Sequence, residues 1–295
     1  MKRICFFPAA FIFFGFAVSF AQDTISFWKK GGNVGLNITQ VALSNWAGGG
    51  QNTIGITGLT NVFANYAEGK TTWDNSLELG YGMTKLAKQE FRKSDDRILF
   101  TSKFGHKAND QFFYSALLDF RSQFDKGYKY NKNAAGTSDT ALLISNLFAP
   151  AFMNVGVGMT YKPADYFEIL VAPLSNRIII VMDDELSKQG AFGVNPGKNI
   201  KSELGAALNI FFKKEILTNV TLQSRLNTFG AYEYLPSLVV TWESLLNMKV
   251  NDYITASFAA DVFYDERVTV NRDDGTLGPA TQFRNVLSIG FGYKF

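Results

Sequence analysis

Several residue types are scarce in this chain of 295 residues, and each scarcity excludes a class of protein. The chain has one cysteine, one histidine and 7 prolines, so a fold held together by several disulfides is excluded. The formal net charge is only +3, which is too small for the basic surface that nucleic-acid binding requires. Nucleic acid is therefore not an expected partner.

Long apolar runs are also scarce. The one clear example lies at the start of the chain. Positive charges at positions 2–3 precede an apolar run from Ile4 to Val18, and small residues follow at Ser19 and Ala21. This pattern predicts a secretory signal peptide, residues 1–21, cleaved before Gln22. The alternative is a retained membrane anchor, but the run is shorter than the roughly 20 residues of a spanning helix. Cleavage removes the only cysteine, so the mature chain has no disulfide and no thiol chemistry.

Aromatic residues and glycine are plentiful, with 28 Phe, 12 Tyr, 4 Trp and 26 Gly. The apolar residues alternate singly with small or polar ones, most clearly in the last segment, where Leu287, Ile289, Phe291, Tyr293 and Phe295 share one face. This period of two predicts a β-strand. Its terminal aromatics resemble the sorting signal of outer-membrane barrels, although the last strand of a soluble sandwich is an alternative.

The same alternation recurs upstream and predicts about twelve strands in an all-β chain. The alternating segments are 34–38, 54–66, 73–83, 98–104, 112–124, 153–161, 167–171, 204–212, 220–226, 238–250, 254–264 and 287–295. Most are long enough to cross a bilayer at a tilt of about 45°. One face of each is apolar and the other polar, which in a membrane barrel places the apolar face against lipid and the polar face in the lumen.

The connections between these segments alternate in length. The long ones are 44–50, 86–96, 125–150, 174–198, 229–236 and 266–280, and the short ones are 67–70, 108–110, 163–165, 213–217 and 251–252. A soluble sandwich has no reason to sort its loops in this way. The pattern predicts a transmembrane antiparallel up-and-down β-barrel with short periplasmic turns and long outer loops. Residues 22–295 are expected to form this single domain, located in a Gram-negative outer membrane.

Charged residues on the predicted lumen face have mixed signs, six acidic and four basic. They are Glu78, Lys103, Asp119, Arg121, Glu168, Glu203, Arg225, Glu243, Asp261 and Arg284. A selective pore concentrates one sign at its constriction, so mixed signs favour a network of pairs that holds the barrel in shape.

Residues for catalysis or for a metal site are not apparent. His106 falls on the predicted lipid face, and Ser102, on the same face, lies too far along the strand to form a nucleophile–base pair with it. Asp183-Asp184-Glu185 in the fourth outer loop could offer oxygen ligands to calcium, but their spacing matches no calcium loop, and we interpret them as solvated. We expect no enzyme activity, no cofactor and no metal.

The fourth outer loop, Arg177 to Asn199, contains an apolar run at residues 178–182 that should not be exposed to water. We expect this loop either to fold into the lumen as a plug or to contact a partner.

Motifs in and beside these loops resemble a known family. Asn45–Gly50, Ala172–Ser175, Gly190–Val194 and Pro196–Lys198 are similar to motifs of an uncharacterised family of Bacteroidota proteins, a domain of unknown function. The resemblance extends from about Trp28 to the C-terminus and implies an outer-membrane location in that phylum. It supplies no activity, substrate or site residue.

Three functions remain as hypotheses. The first is a non-enzymatic structural or accessory subunit of an outer-membrane assembly, for which outer-membrane lipid and other outer-membrane proteins are the expected partners. The second is a passive channel for small polar solutes, although twelve strands leave a narrower lumen than that of 16-stranded porins. The third and most remote is an outer-membrane lipid hydrolase.

Overall fold

The computed structural model describes residues 26–42, 52–87, 89–132, 139–268, 270–272 and 276–294. Nearly all regular structure in these ranges is β-strand, accompanied by one short α-helix and two 3-10 turns. No helix in these ranges is both long and apolar enough to cross a membrane.

Sixteen strands follow one another within these described ranges. The first eight are β1 (Trp28–Val41), β2 (Thr53–Glu68), β3 (Thr71–Leu86), β4 (Arg92–Lys107), β5 (Phe112–Ser122), β6 (Gly127–Lys132), β7 (Asp139–Ser145) and β8 (Ala151–Ala164). The second eight are β9 (Phe167–Ile180), β10 (Ile200–Leu217), β11 (Val220–Ala231), β12 (Leu238–Lys249), β13 (Ile254–Asp265), β14 (Val270–Asn271), β15 (Leu277–Gly278) and β16 (Gln282–Lys294).

Twelve of these strands close into an antiparallel barrel in the order β1-β16-β13-β12-β11-β10-β9-β8-β5-β4-β3-β2. The seam pairs the first strand with the last, so that Leu36 lies opposite Phe291. Closure gives every barrel strand two neighbours and leaves no open edge, as a wall surrounded by lipid requires. The predicted fold class and strand number are confirmed.

The outward face of the barrel is apolar. On β16, for example, Leu287 is 71% exposed and Ile289 is 66% exposed, while the intervening positions face inward. Few hydrophobic side chains are buried, and those that are gather mainly at the loop end of the barrel. The molecule therefore has its apolar surface on the outside, the inverse of a soluble sandwich.

Connections at one end of the barrel are tight turns. Gly69 follows β2 at φ 56°, and Asn219 follows β10 at φ 64°, each in a two-residue turn. A left-handed backbone is easiest for glycine and asparagine, which explains these residues at these positions. The predicted turn at 213–217 is wrong in position, because β10 continues to Leu217 and the turn is 218–219.

Aromatic side chains collect at this turn end. The ring of Trp28 lies 5.3 Å from that of Tyr66 and 5.9 Å from that of Trp73, and Tyr166 packs on Phe212 at 6.0 Å. Such a girdle is typical of the level at which a barrel meets lipid headgroups.

Connections at the other end are longer and carry the remaining structure. The third contains the hairpin β6–β7. The fourth contains helix α1 (Asp184–Lys188), and the last contains the short pair β14–β15. The predicted alternation of loop lengths is thus confirmed, but the second loop was predicted too long, because β4 begins at Arg92 rather than near Ile98.

The fourth loop was also predicted to begin too early. We expected it at 174, whereas β9 continues through Pro173 to Ile180. Proline cannot donate a ladder hydrogen bond and normally marks a strand end. Here the pairing of β9 is irregular on both sides at Pro173, and a Cβ on Gly158 would lie 1.9 Å from the Val171 carbonyl oxygen. The bulge and the glycine together accommodate the proline without ending the strand.

Candidate functional site in the barrel lumen

The barrel encloses a cavity of about 970 Å³. Its lining reaches from Asp165 in the turn between β8 and β9 to Gln123 and Phe152 at the loop end. Charged and amide side chains dominate the wall between these limits. The cavity is therefore the place where a solute or a structural network would be held.

A row of four charged residues crosses one side of the wall. Arg225, Glu243, Asp261 and Arg284 occupy directly paired positions on β11, β12, β13 and β16. All four were predicted for the lumen, and all four line the cavity. We call this row the charged belt.

Arg284 connects the belt to the opposite strands. It donates to Asp261 at 2.7 Å and lies 3.4 Å from Asp95 on β4, although β1, β2 and β3 lie between. Asp95 in turn lies 4.0 Å from Arg97, which pairs with the predicted lumen residue Glu78 at 3.1 Å. The prediction missed Asp95 because it lay in a supposed loop, and Arg97 because it lay at that loop's edge.

Two further pairs join strands that are not neighbours. Arg121 on β5 forms an ion pair with Glu243 on β12, and the strands between them are β8, β9, β10 and β11. Lys103 on β4 pairs with Glu168 on β9 at 2.5 Å across β5 and β8. The Arg121–Glu243 pair therefore spans the lumen from one wall to the other.

The remaining predicted lumen residues have other surroundings. Asp119 accepts a hydrogen bond from the Thr101 hydroxyl at 2.7 Å. Arg225 has its guanidinium 5.4 Å from the ring centre of Phe211, with no ion pair in the described part of the chain. Glu203 lies apart from the belt, at the loop end.

Glu203 belongs to a second charged cluster. It lies 2.5 Å from Arg267, 3.0 Å from Lys201 and 3.8 Å from Arg177. Arg177 also pairs with Asp265 at 3.1 Å, across β10, β11 and β12. Arg177 and Glu203 are nearly fully buried, so this cluster ties the upper walls and the last loop together. Of its members the sequence identified only Glu203, because the others lay in or beside predicted loops.

The apolar run predicted for the fourth loop, residues 178–182, is divided in the structure, because residues 178–180 belong to strand β9 and Met182 is 54% exposed. Ile179 and Val181 are buried with Leu186 and Val194, and Phe152 of the cavity wall packs on the same group. We call this group the loop cap. The plug and the partner contact expected for this loop both stay predictions.

Asp183, predicted to be solvated, has a structural contact. It caps helix α1 by accepting from the backbone N–H of Glu185 and Leu186, and it accepts from the Asn146 amide at 3.0 Å. The Asn146 hydrogen bond, followed by the backbone bonds, lowers the pKa of the Asp183 carboxyl. Across the described ranges, no three or more His, Cys, Asp and Glu residues are grouped to hold a metal ion.

His106 and Ser102 lie on the outer face, as predicted. The His106 ring Nδ1 is 3.5 Å from the Thr71 hydroxyl. Ser102 donates to the Asn75 side chain at 2.8 Å and accepts from the Trp73 indole at 2.8 Å. These contacts satisfy the polar atoms of Ser102 without any base.

The predicted sorting residues are only partly within the described ranges. Phe291 and Tyr293 face outward and are each 66% exposed. Phe295, the signal segment 1–21 and the Asn45–Gly50 motif lie outside the described residues. Their roles stay predictions.

Comparisons with known proteins give no activity. Residues 38–128 match a family described as a protein of unknown function (DUF3078), and no curated protein matches the chain. Similar solved structures include the translocator domain of the autotransporter NalP from Neisseria meningitidis, at 10% identity and TM-score 0.40, covering 91% of this chain and 87% of that one. The COG4313 outer-membrane channel from Pseudomonas putida F1 is 9% identical at TM-score 0.40, covering 92% and 96%. The NanC porin is 10% identical at TM-score 0.39, covering 90% and 100%. The chain is thus a closed twelve-stranded antiparallel β-barrel, similar over residues 38–128 to a family of unknown function.

Proposed function

We propose that this chain is an outer-membrane β-barrel closed to free diffusion, acting as a non-enzymatic structural or accessory subunit of an outer-membrane assembly. The apolar outer wall, the aromatic girdle and the closed sheet support the membrane location, since a soluble protein does not expose a continuous apolar belt. Outer-membrane lipid is accordingly its first partner.

The observation that carries the proposal is the ion pair between Arg121 and Glu243. Because it joins opposite walls, a solute that crossed the lumen would have to pass around or break it. The Arg284–Asp95 contact is a second bridge between strands that are not neighbours. Contacts across the lumen narrow the path that is open to a solute, so these bridges favour a scaffold over a conduit.

The loop cap supports the same interpretation. Leu186 and Val194 pack on Ile179 inside the rim, and the buried Arg177–Asp265 pair lies close below. Burial of this apolar group stabilises a covered mouth, because opening would return it to water.

Conductance of the purified full-length mature protein in planar bilayers tests closure. We expect no steady current from the wild type and measurable openings from a variant carrying both Arg121→Ala and Glu243→Ala. Lys129→Ala on the outer hairpin removes a charge away from the lumen and is the matched control, expected to stay silent. Steady wild-type current with an intact cap would contradict the proposal.

Purification from native membranes tests the accessory role. We expect a defined set of outer-membrane proteins to co-purify with the chain in mild detergent. Recovery of the barrel as a partnerless monomer under several mild detergents would contradict a subunit role while leaving closure untouched.

The second candidate is a passive channel for small polar solutes. The observation that favours it is the polar cavity of about 970 Å³, which is large enough for small solutes. Conductance in the wild type would select this function, so the bilayer experiment distinguishes the two.

A further inference from the structure

Among the described residues, Arg225 is the one cation of the charged belt without an ion pair within 4.0 Å, although it interacts electrostatically with Glu243. Glu243 is the register neighbour of Arg225, but its carboxylate pairs with Arg121 from the opposite wall. On the other side Arg225 faces Phe211, an uncharged ring. Within the described ranges, no hydrogen bond or ion pair reaches the Arg225 guanidinium, which carries five donors.

The surroundings of Arg225 are rich in neutral hydrogen-bonding groups. Asn209 and Asn227 are paired with each other, two residues along their strands from the Phe211–Arg225 pair. Both line the cavity with Arg225. The Asn209 amide donates to the Asn227 carbonyl oxygen at 2.6 Å, while the Asn209 Oδ1 atom is buried without a partner in the described part of the chain. The wall therefore offers the donors of one fixed cation beside an amide oxygen that can only accept a hydrogen bond.

The cavity lining as a whole carries nine acidic and eight basic side chains, so the excess of positive charge is confined to the immediate surroundings of Arg225. Arg121 neutralises Glu243, so the three side chains Arg121, Arg225 and Glu243 sum to one positive charge. In a confined lumen this charge is screened less than at an open surface, and a guanidinium binds a planar pair of oxygens through two parallel hydrogen bonds. The cavity, at about 970 Å³, has room for a small molecule at this point.

We propose that the lumen binds a small oxyanion, a carboxylate- or phosphate-bearing solute, with Arg225 as its anchor and the Asn209–Asn227 pair beside it. The inference goes beyond the proposed function and does not depend on it. A closed barrel and a conducting one would both hold such a solute at Arg225.

Calorimetric titration of the full-length mature protein in detergent tests the site with succinate, inorganic phosphate and the neutral analogue succinamide. We expect succinate, phosphate or both to bind, and succinamide to bind at least tenfold more weakly because it lacks the charge. If just one of the two anions binds, the result identifies which oxyanion the site accepts. No heat with either anion, or equal binding of succinamide, would overturn the proposal.

Variants locate the site. Arg225→Gln should weaken the anion by about tenfold or more, the usual effect of removing a charge-assisted hydrogen bond. Arg272→Gln in the last loop, where the arginine donates to the Pro279 carbonyl, is the control and should bind like the wild type. Heat-modifiable gel mobility verifies that each variant folds.

A second variant keeps the test decisive if Arg225→Gln does not fold. Asn227→Asp places a carboxylate next to Arg225 at nearly unchanged volume and should weaken the anion by a similar factor. Unchanged affinity in whichever of these variants is folded would overturn the assignment, whatever the conductance of the barrel.

Discussion

Arg121 and Glu243 form an ion pair from strands that lie on opposite walls of the barrel. Neighbouring strands bring together residues of one register row, but this contact joins β5 to β12 through the interior. The Glu243 side chain is 25% exposed and that of Arg121 is 42% exposed, so the pair is only partly shielded from water. Its main effect is to define the shape of the lumen, with a modest contribution to stability.

The first prediction concerns this pair. Arg121→Ala and Glu243→Ala should each lower the free energy of unfolding by about 1–2 kcal/mol, less than the cost of breaking a fully buried pair. In the double variant the two losses should be less than additive, since both single changes remove the same contact. Urea unfolding in lipid vesicles measures all three, and fully additive losses would show that the two residues are not coupled.

The second prediction concerns Asp183. The lowered pKa of its carboxyl means that the charged form stabilises the loop cap above its ordinary pKa of about 3.9, and that this contribution disappears as the pH falls through the lowered value. Asp183→Ala should destabilise the cap by about 0.5–2 kcal/mol, as expected for a lost helix N-cap.

Protease cleavage within residues 184–199 measures the stability of the cap. Asp183→Ala should be cut faster than the wild type at pH 7, and the difference should shrink in strongly acidic buffer with an acid-active protease. Asp184→Ala, one position into the helix and exposed, is the matched control. Equal cleavage of both variants at pH 7 would contradict the capping role.

The third prediction concerns the C-terminus. Deletion of Phe295 removes the last aromatic of the predicted sorting signal, so we expect poor assembly and periplasmic degradation. Cell fractionation with immunoblotting measures the outer-membrane level. Deletion of one residue from the last outer loop, Thr276, is a control of equal size, and wild-type levels without Phe295 would refute the sorting role.

The sequence predicted the barrel well because lipid imposes a strict period of two. Leu287, Ile289 and Phe291 face outward as the alternation requires, and each predicted segment lies largely within a barrel strand. The prediction from alternation was wrong where both faces of a strand are polar. In Arg92–Arg97 no apolar residue alternates with the polar ones, so the start of β4 was predicted as a loop.

The charged lumen was predictable only as a set of residues. The alternation of side chains along each strand identified Arg121 and Glu243 as inward-facing. Nothing in a linear sequence indicates which inward-facing residues contact each other across the lumen. The buried cluster of Arg177, Glu203 and Asp265 was missed for a related reason. The predicted alternating segment ended at residue 171, before Arg177, whereas the bulge opposite Gly158 allows β9 to continue past Pro173.

The last prediction tests which face of the wall meets lipid. Leu208 and Asn209 are neighbours on β10, and Asn209 lines the cavity while Leu208 points away from it. An arginine facing lipid near the middle of the bilayer costs about 2–4 kcal/mol, whereas one in a polar lumen costs much less if water reaches it. Leu208→Arg should therefore refold into lipid vesicles markedly worse than Asn209→Arg. The neighbouring pairs Leu118 with Asp119 and Phe258 with Ser257 repeat the comparison on β5 and β13. If the inward-facing variant were the more damaging in all three pairs, the apolar face would be the core of a protein that does not span a membrane.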